Sequence, residues 1–270
     1  MSLEQPGGGA AFLAEELARV QARARQAPAD ATHRSALFQL HCVTGAWDKA
    51  ARQLAVVGDL DPKAELFCTQ HRLLLAAETQ RGEVFAGRRA PSCLGEPPAW
   101  LAFLVEAARL DGQGRHGAAK EIRGQALAQA EATPGQADGA PFAWIADADE
   151  RLGPVLEAVV NGGYYWVPFD RLRRIASDGP KDLKDLVWLP VTLTLANGAE
   201  AAGFVPTRYP GSEANPDDAI RLARRTEWQE IEGGSWRGLG QRVLVTDRGE
   251  HPLLDLRAIE LRPGAGSGHG

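Results

Sequence analysis

Apolar residues recur with helical spacing through the first half of the chain and with strand-like spacing through much of the second. Leu13, Leu17, Val20 and Ala24 fall on one helical face. Pro28 and Asp30 end that helix and start the next, which carries Leu37, Leu40 and His41 and stops at Thr44-Gly45. Trp47, Ala50, Ala51, Leu54 and Val57 predict a third helix, closed by Asp59-Leu60-Asp61-Pro62. A long fourth is expected over 64–85, with Leu66, Phe67, Leu73, Leu74 and Phe85 as its apolar residues. After a loop at 87–98, Trp100, Phe103, Leu104 and Ala107 begin a fifth helix, broken at Gly112-Gln113-Gly114. A sixth runs over 116–131.

Short helices with tight glycine turns suggest a repeat. Pro28 and Pro62 stand 34 residues apart, the period of a tetratricopeptide repeat. Ala50 suits a close helix crossing and Gly45 a turn. Stacked hairpins of this kind present a concave binding face, whereas a plain helical bundle with the same spacing has none.

Residues 141–175 are the seam between the two patterns. Gly153-Pro154 predicts a helix start, with Val155, Leu156, Val159 and Val160 as a buried stripe and Asn161-Gly162-Gly163 as its stop. The run 164–169 then predicts an aromatic strand. Beyond it the period is two. The runs 191–195 and 200–205 flank Asn197-Gly198, a hairpin signal. A second hairpin is expected over 241–245 and 251–256, a last strand over 257–261, and a short helix over 217–225. The fold class expected is α+β with two domains: TPR-like helical hairpins over 11–140, then a smaller antiparallel, β-rich α+β domain over 141–262. Residues 1–10 are expected to form a flexible N-terminus and 263–270 a disordered tail.

Composition narrows the picture. The chain has 270 residues, 44% hydrophobic and 24% charged, with a net charge of −5, so no polyanion partner is implied. The basic runs 171–174 and 221–225 are expected to be solvated faces and not nucleic-acid contacts. Cys42, Cys68 and Cys93 are widely spaced, which suits a reducing, cytoplasmic compartment and gives no zinc site. No window is apolar enough to cross a membrane.

Chemistry-bearing residues crowd the seam. Asp147, Asp149 and Glu150, with Glu157, could form a metal or acid/base cluster, and convergence of Asp147, Asp149, Glu157 and Arg208 would define an enzyme site. The bland alternative is that these acids cap a helix. The six histidines show no HExxH spacing, and His41 is expected to be a satisfied interior or boundary histidine. Ser212 is a turn serine, Gly238-Leu-Gly240 a bulge before a strand, and Walker and dinucleotide-binding glycine patterns are missing. The tryptophans are expected in packing positions, with Trp144, Tyr165 and Trp166 largely buried.

The ordered set Trp144-Ile-Ala-Asp-Ala-Asp149, Arg151-Leu-Gly-Pro-Val-Leu-Glu157, Asn161-Gly162 and Tyr164-Tyr165-Trp166-Val-Pro168 resembles the signature of the ImpE/SciE/TagJ family of type VI secretion accessory proteins. Glu83-Val-Phe-Ala-Gly-Arg-Arg89, Pro206-Thr-Arg208-Tyr209-Pro-Gly-Ser-Glu213, Leu222-Ala-Arg-Arg-Thr-Glu-Trp228 and Gly238-Leu-Gly-Gln-Arg242 extend the likeness over 31–261. The family usually opens with a fuller helical hairpin, where this chain has glycine-rich residues before Phe12. The resemblance implies a TPR-like helical domain followed by a smaller α+β domain, no enzymatic activity and no cofactor. It also implies binding to an N-terminal helix of the sheath small subunit TssB, in aid of sheath contraction or of disassembly by the ClpV ATPase.

Overall fold

The computed structural model describes residues 12–262. The expectations for 1–10 and 263–270 lie outside the described residues. Four helices come first: α1 (Phe12–Gln26), α2 (Ala31–Val43), α3 (Trp47–Leu60) and α4 (Glu65–Phe85). A two-residue strand β1 (Ser92–Cys93) precedes the hairpin of α5 (Ala99–Gly112) and α6 (His116–Gln129). All six fall where the sequence places them, the sixth ending at Gln129. Asp30 starts α2 by accepting the Thr32 N–H at 2.8 Å. Every residue from Leu37 to Val43 is buried, so α2 is covered on all sides.

Strands follow: β2 (Gly135–Ala137), β3 (Ala140–Phe142), β4 (Ile145–Asp147), β5 (Val155–Val160), β6 (Gly163–Pro168), β7 (Leu172–Ala176), β8 (Trp188–Leu195) and β9 (Glu200–Pro206). A one-turn helix α7 (Asp218–Arg221) separates these from β10 (Thr226–Ile231), β11 (Ser235–Gly240), β12 (Val243–Thr246), β13 (Gly249–Pro252) and β14 (Ala258–Leu261). Nine strands form one sheet in the order β1-β6-β5-β9-β8-β7-β14-β2-β3. Strands β13-β12-β4 form a second sheet and β10-β11 a separate hairpin.

Three expectations are corrected. The segment 155–160 is strand β5, not a helix. Asn161 and Gly162 both take positive φ (48° and 79°), and Val160 pairs with Gly163, so they form a two-residue hairpin turn and not a helix stop. The main sheet is not purely antiparallel: β1, from the loop between α4 and α5, pairs parallel with β6. The second hairpin is shorter than expected, with Thr246 opposite Gly249.

The reason for the first error is visible in the packing. All six residues of β5 are buried, because both faces of the sheet are covered there. Val155 and Val159, with Tyr164, Trp166 and Trp188, join the core of the helices. Leu156, Ala158 and Val160 join a second core with Val205, Leu244, Leu253 and Ile259. A strand buried on both faces shows no polar alternation.

Candidate functional site

The helical and strand-rich parts meet over a buried ionic network. Arg81, on α4, forks onto Glu157 of β5, with Nε–Oε1 at 2.7 Å and Nη2–Oε2 at 3.0 Å. Arg242 precedes β12 and bridges two carboxylates, donating Nη1 to Asp147 and Nη2 to Glu157. Its Nε donates to the Pro206 carbonyl at 2.9 Å. The side chains of Arg242, Asp147 and Glu157 have no solvent contact. Tyr164 donates its hydroxyl to Glu157 and accepts the Trp166 indole N–H at 2.8 Å. Tyr209 donates to Asp147 at 2.9 Å and accepts the Val243 N–H at 3.0 Å. Gly238 has no Cβ because one would stand 2.3 Å from the Tyr209 ring.

The neighbouring acid is satisfied in the same way. Asp149 accepts Arg151 Nε at 2.9 Å and Nη2 at 2.6 Å, and also the Gly238 N–H at 3.0 Å. Arg151 in turn lies 5.2 Å over the Phe85 ring of α4. Arg208 donates Nη1 to the Val43 carbonyl at 2.7 Å and to the Arg221 carbonyl, and Nη2 to Cys42 at 3.3 Å. It therefore places a cation at the C-terminus of α2, where the unpaired carbonyls need donors. Its own carbonyl accepts from Arg81 Nη2 at 2.7 Å.

The electrostatics follow from this pairing. Burial by itself would raise the Glu157 carboxyl, but Arg81 and Arg242 together hold it down to about 2. Burial pushes Asp147 up to about 6 against the pull of Arg242, with the nearby Asp149 charge adding to the rise. Burial also works against ionised Asp149, yet Arg151 keeps it below the usual carboxylate range. Burial lowers Arg208 to about 10, with Glu213 and Glu78 pulling the other way.

Hydrogen bonds and ion pairs link Asp147, Asp149, Arg151, Glu157, Tyr164 and Trp166, which lie close in the sequence, with Arg208 and Tyr209 from a separate stretch. Their role differs from either reading of the acids: no helix follows for them to cap, and ion pairs and hydrogen bonds take up Asp147, Asp149, Glu157 and Arg208. Among the described residues no group of three or more His, Cys, Asp and Glu side chains could hold a metal ion. Trp144 is exposed and Tyr165 half-buried, contrary to expectation, because Trp144 lies just before β4 and Tyr165 faces the edge strand β1. His41 takes an interior position but is not the satisfied histidine expected: among the described residues its Nδ1 has no hydrogen-bond partner.

The sequence reading missed Arg81 and Arg242 as members of the network. Arg242 ends the Gly238-Leu-Gly-Gln-Arg242 motif, a usable signal, whereas Arg81 sits in an ordinary polar stretch of helix. Another buried arginine, Arg123 on α6, pairs with Asp111 of α5 within the outer hairpin and ties that hairpin to β11 through Ser235.

Beyond the network the main sheet has an open face. A groove of about 540 Å³ lies there, between Gln70 of α4 and the loop 177–181, floored by β7, β8, β9 and β14.

The ImpE protein family model matches residues 139–260. The type VI secretion system accessory component TagJ of Pseudomonas aeruginosa is 46% identical over 266 residues, covering 95% of this chain and 93% of that protein. A crystal structure of a Vibrio parahaemolyticus protein superposes with a TM-score of 0.85 at 25% identity, covering 94% of this chain and 95% of that one. The likeness to TagJ runs through the helical half as well as the network, and the chain belongs to the ImpE/TagJ family.

Proposed function

We propose that this chain is a non-enzymatic accessory protein of a bacterial type VI secretion system. It acts in the cytoplasm and binds a helix of the sheath small subunit TssB. It thereby assists sheath contraction or ClpV-linked disassembly. The observation that carries this reading is the 46% identity to TagJ along nearly the full length of both chains. The site chemistry is consistent with it. The four residues that could have formed a catalytic cluster are committed to internal bonds, and those bonds fix the helices against the sheet. Such a scaffold suits recognition of a partner by a preformed surface.

The test is titration of a labelled peptide spanning the N-terminal helix of the cognate sheath subunit. Saturable binding with a Kd below about 100 µM, or roughly −5.5 kcal/mol, is expected. Absence of binding at several hundred micromolar, with the protein folded, would overturn the assignment.

A further inference from the structure

We propose that the groove between α4 and the open face of the main sheet seats one amphipathic helix that carries carboxylates along one edge. This rests on the TssB-binding reading and gives it a site. Three features of the groove select such an occupant.

The first is backbone satisfaction. A strand can dock only where a sheet offers an unpaired edge. The four strands of the floor are interior to the sheet, β9 lying between β5 and β8, β7 between β8 and β14, and β14 between β7 and β2, but β5 pairs with β9 only at Gly203 and Phe204, so the short stretch 200–202 has no partner on that side. An extended peptide here would find no more than that three-residue stretch to join. An occupant that desolvates its backbone must therefore hydrogen-bond to itself, as a helix does.

The second is shape and polarity. The floor carries short side chains, including Ala176, Thr192, Ala202 and Ala258, beside Pro190 and the half-buried Phe204. Short side chains let a helix axis come close. The wall is α4, whose Gln70 lines the groove. Leu66 and Leu73 stand one turn either side of Gln70 on the same helical face and are 81% and 44% exposed. These two leucines, on the exposed face of α4 and flanking the lining residue Gln70, supply apolar contact for an amphipathic partner.

The third is charge. Arg174, Lys181 and Arg257 line the groove. Lys181 is paired with Asp178 at 2.8 Å. Asp185 also lines it but is turned into its own loop, accepting the N–H groups of Lys181 and Asp182. Arg257 donates Nη1 only to the carbonyls of Leu254 and Leu256. Arg174 makes no salt bridge among the described residues, although Glu260 is its cross-strand neighbour; Glu260 instead accepts from Gln136. Two guanidinium groups without carboxylate partners among the described residues thus face one groove of a chain with net charge −5, and they complement acids on the incoming helix.

The test uses the sheath-subunit peptide against the full chain and three variants. Thr192→Arg fills the floor, and Thr192 is exposed, so the fold is expected to hold; unchanged thermal melting checks this. It should weaken binding about tenfold or more, since a bulky charge in the groove excludes the partner. Arg174→Glu should weaken binding about fivefold at low salt, and the loss should shrink in 0.5 M salt. Trp236→Ala, on the separate β10-β11 hairpin, should leave affinity unchanged. If the peptide binds the wild type and both groove variants equally, the groove assignment is wrong while TssB binding stands. If the wild type does not bind the peptide at all, the TssB reading fails and takes the groove with it.

Discussion

Glu157 has no solvent contact and still carries its charge, because Arg81 and Arg242 approach it from two different parts of the fold. Removing one member of a buried pair strands its partners, which costs about 3–5 kcal/mol. Glu157→Gln should therefore lower stability by that amount at pH 7, measured by urea denaturation. Asp147→Asn should cost less, about 1–2 kcal/mol, since Asp147 holds one arginine where Glu157 holds two. The two acids also differ in pH dependence. The folded pKa of Glu157, about 2, lies below its ordinary 4.5, so its contribution is complete above 4.5 and is lost as pH falls toward 2. The gap between wild type and Glu157→Gln should close over that window. Asp147 works in the opposite sense. Its folded pKa, about 6, exceeds 3.8, so the native state binds the proton more readily and gains stability as pH falls from 6 to 3.8. Asp147→Asn should remove that rise. A gap for Glu157→Gln that did not change between pH 5 and pH 2.5 would show that the carboxylate is not held ionised by the arginines.

The β5-β6 hairpin shows which elements are legible in sequence and which are not. Helices α1, α3, α4 and α5 follow from apolar spacing because each buries a stripe and the period survives, whereas α2, buried all round from Leu37 to Val43, is bounded by Asp30 and Thr44-Gly45. The β8-β9 hairpin is legible through Asn197-Gly198 and alternation. Strand β5 is not, because helices cover one face and a second core the other, so Val155 to Val160 carry no period of two. Gly153-Pro154 and Asn161-Gly162 then mimic helix boundaries, while their real work is in turns. Strands β2, β3 and β4, three residues each, are too short to show any period. The network is half legible for a related reason. Acids are conspicuous, but a buried arginine such as Arg81 is indistinguishable in sequence from an exposed one on the same helix. The hairpin tip also predicts a measurable effect. Gly162 has φ +79°, and a Cβ there would stand 2.9 Å from Leu73 of α4. Gly162→Ala combines left-handed strain with that clash and should cost about 1–2 kcal/mol. An unchanged denaturation midpoint would mean the tip does not bear on α4.

At the scale of the whole molecule, the helical and strand-rich parts share one core. The cluster that contains Leu40, Leu54 and Leu74 of the helices also contains Val155, Tyr164, Trp166 and Trp188 of the sheet. Trp47 meets Trp188 at 5.9 Å between ring centres, and Phe85 meets Trp166 at 6.1 Å. Arg208 supplies the donors for the end of α2, and Trp188 donates its indole N–H to Glu78 on α4 at 2.8 Å. A chain cut between α6 and β2 therefore leaves its helices with exposed aromatic rings, an Arg81 reduced to its pairing with Glu78, and an α2 without the Arg208 donors at its C-terminus. Helices held mainly by tertiary packing do not survive the loss of the packing surface. We expect a fragment of residues 12–131 to unfold in urea over a broad, shallow transition, and the full chain to unfold in one step, as shared cores impose. Supplying residues 132–262 in trans should sharpen the transition. A fragment that melted as steeply as the whole chain, at a similar midpoint, would show that the helical half is an autonomous domain and that the ionic network docks two finished units. The expected result makes the network a part of one folding unit, and it explains why Arg81, Glu157 and Arg242 come from three distant stretches of the chain: none of the stretches can bury its charge until the other two are in place.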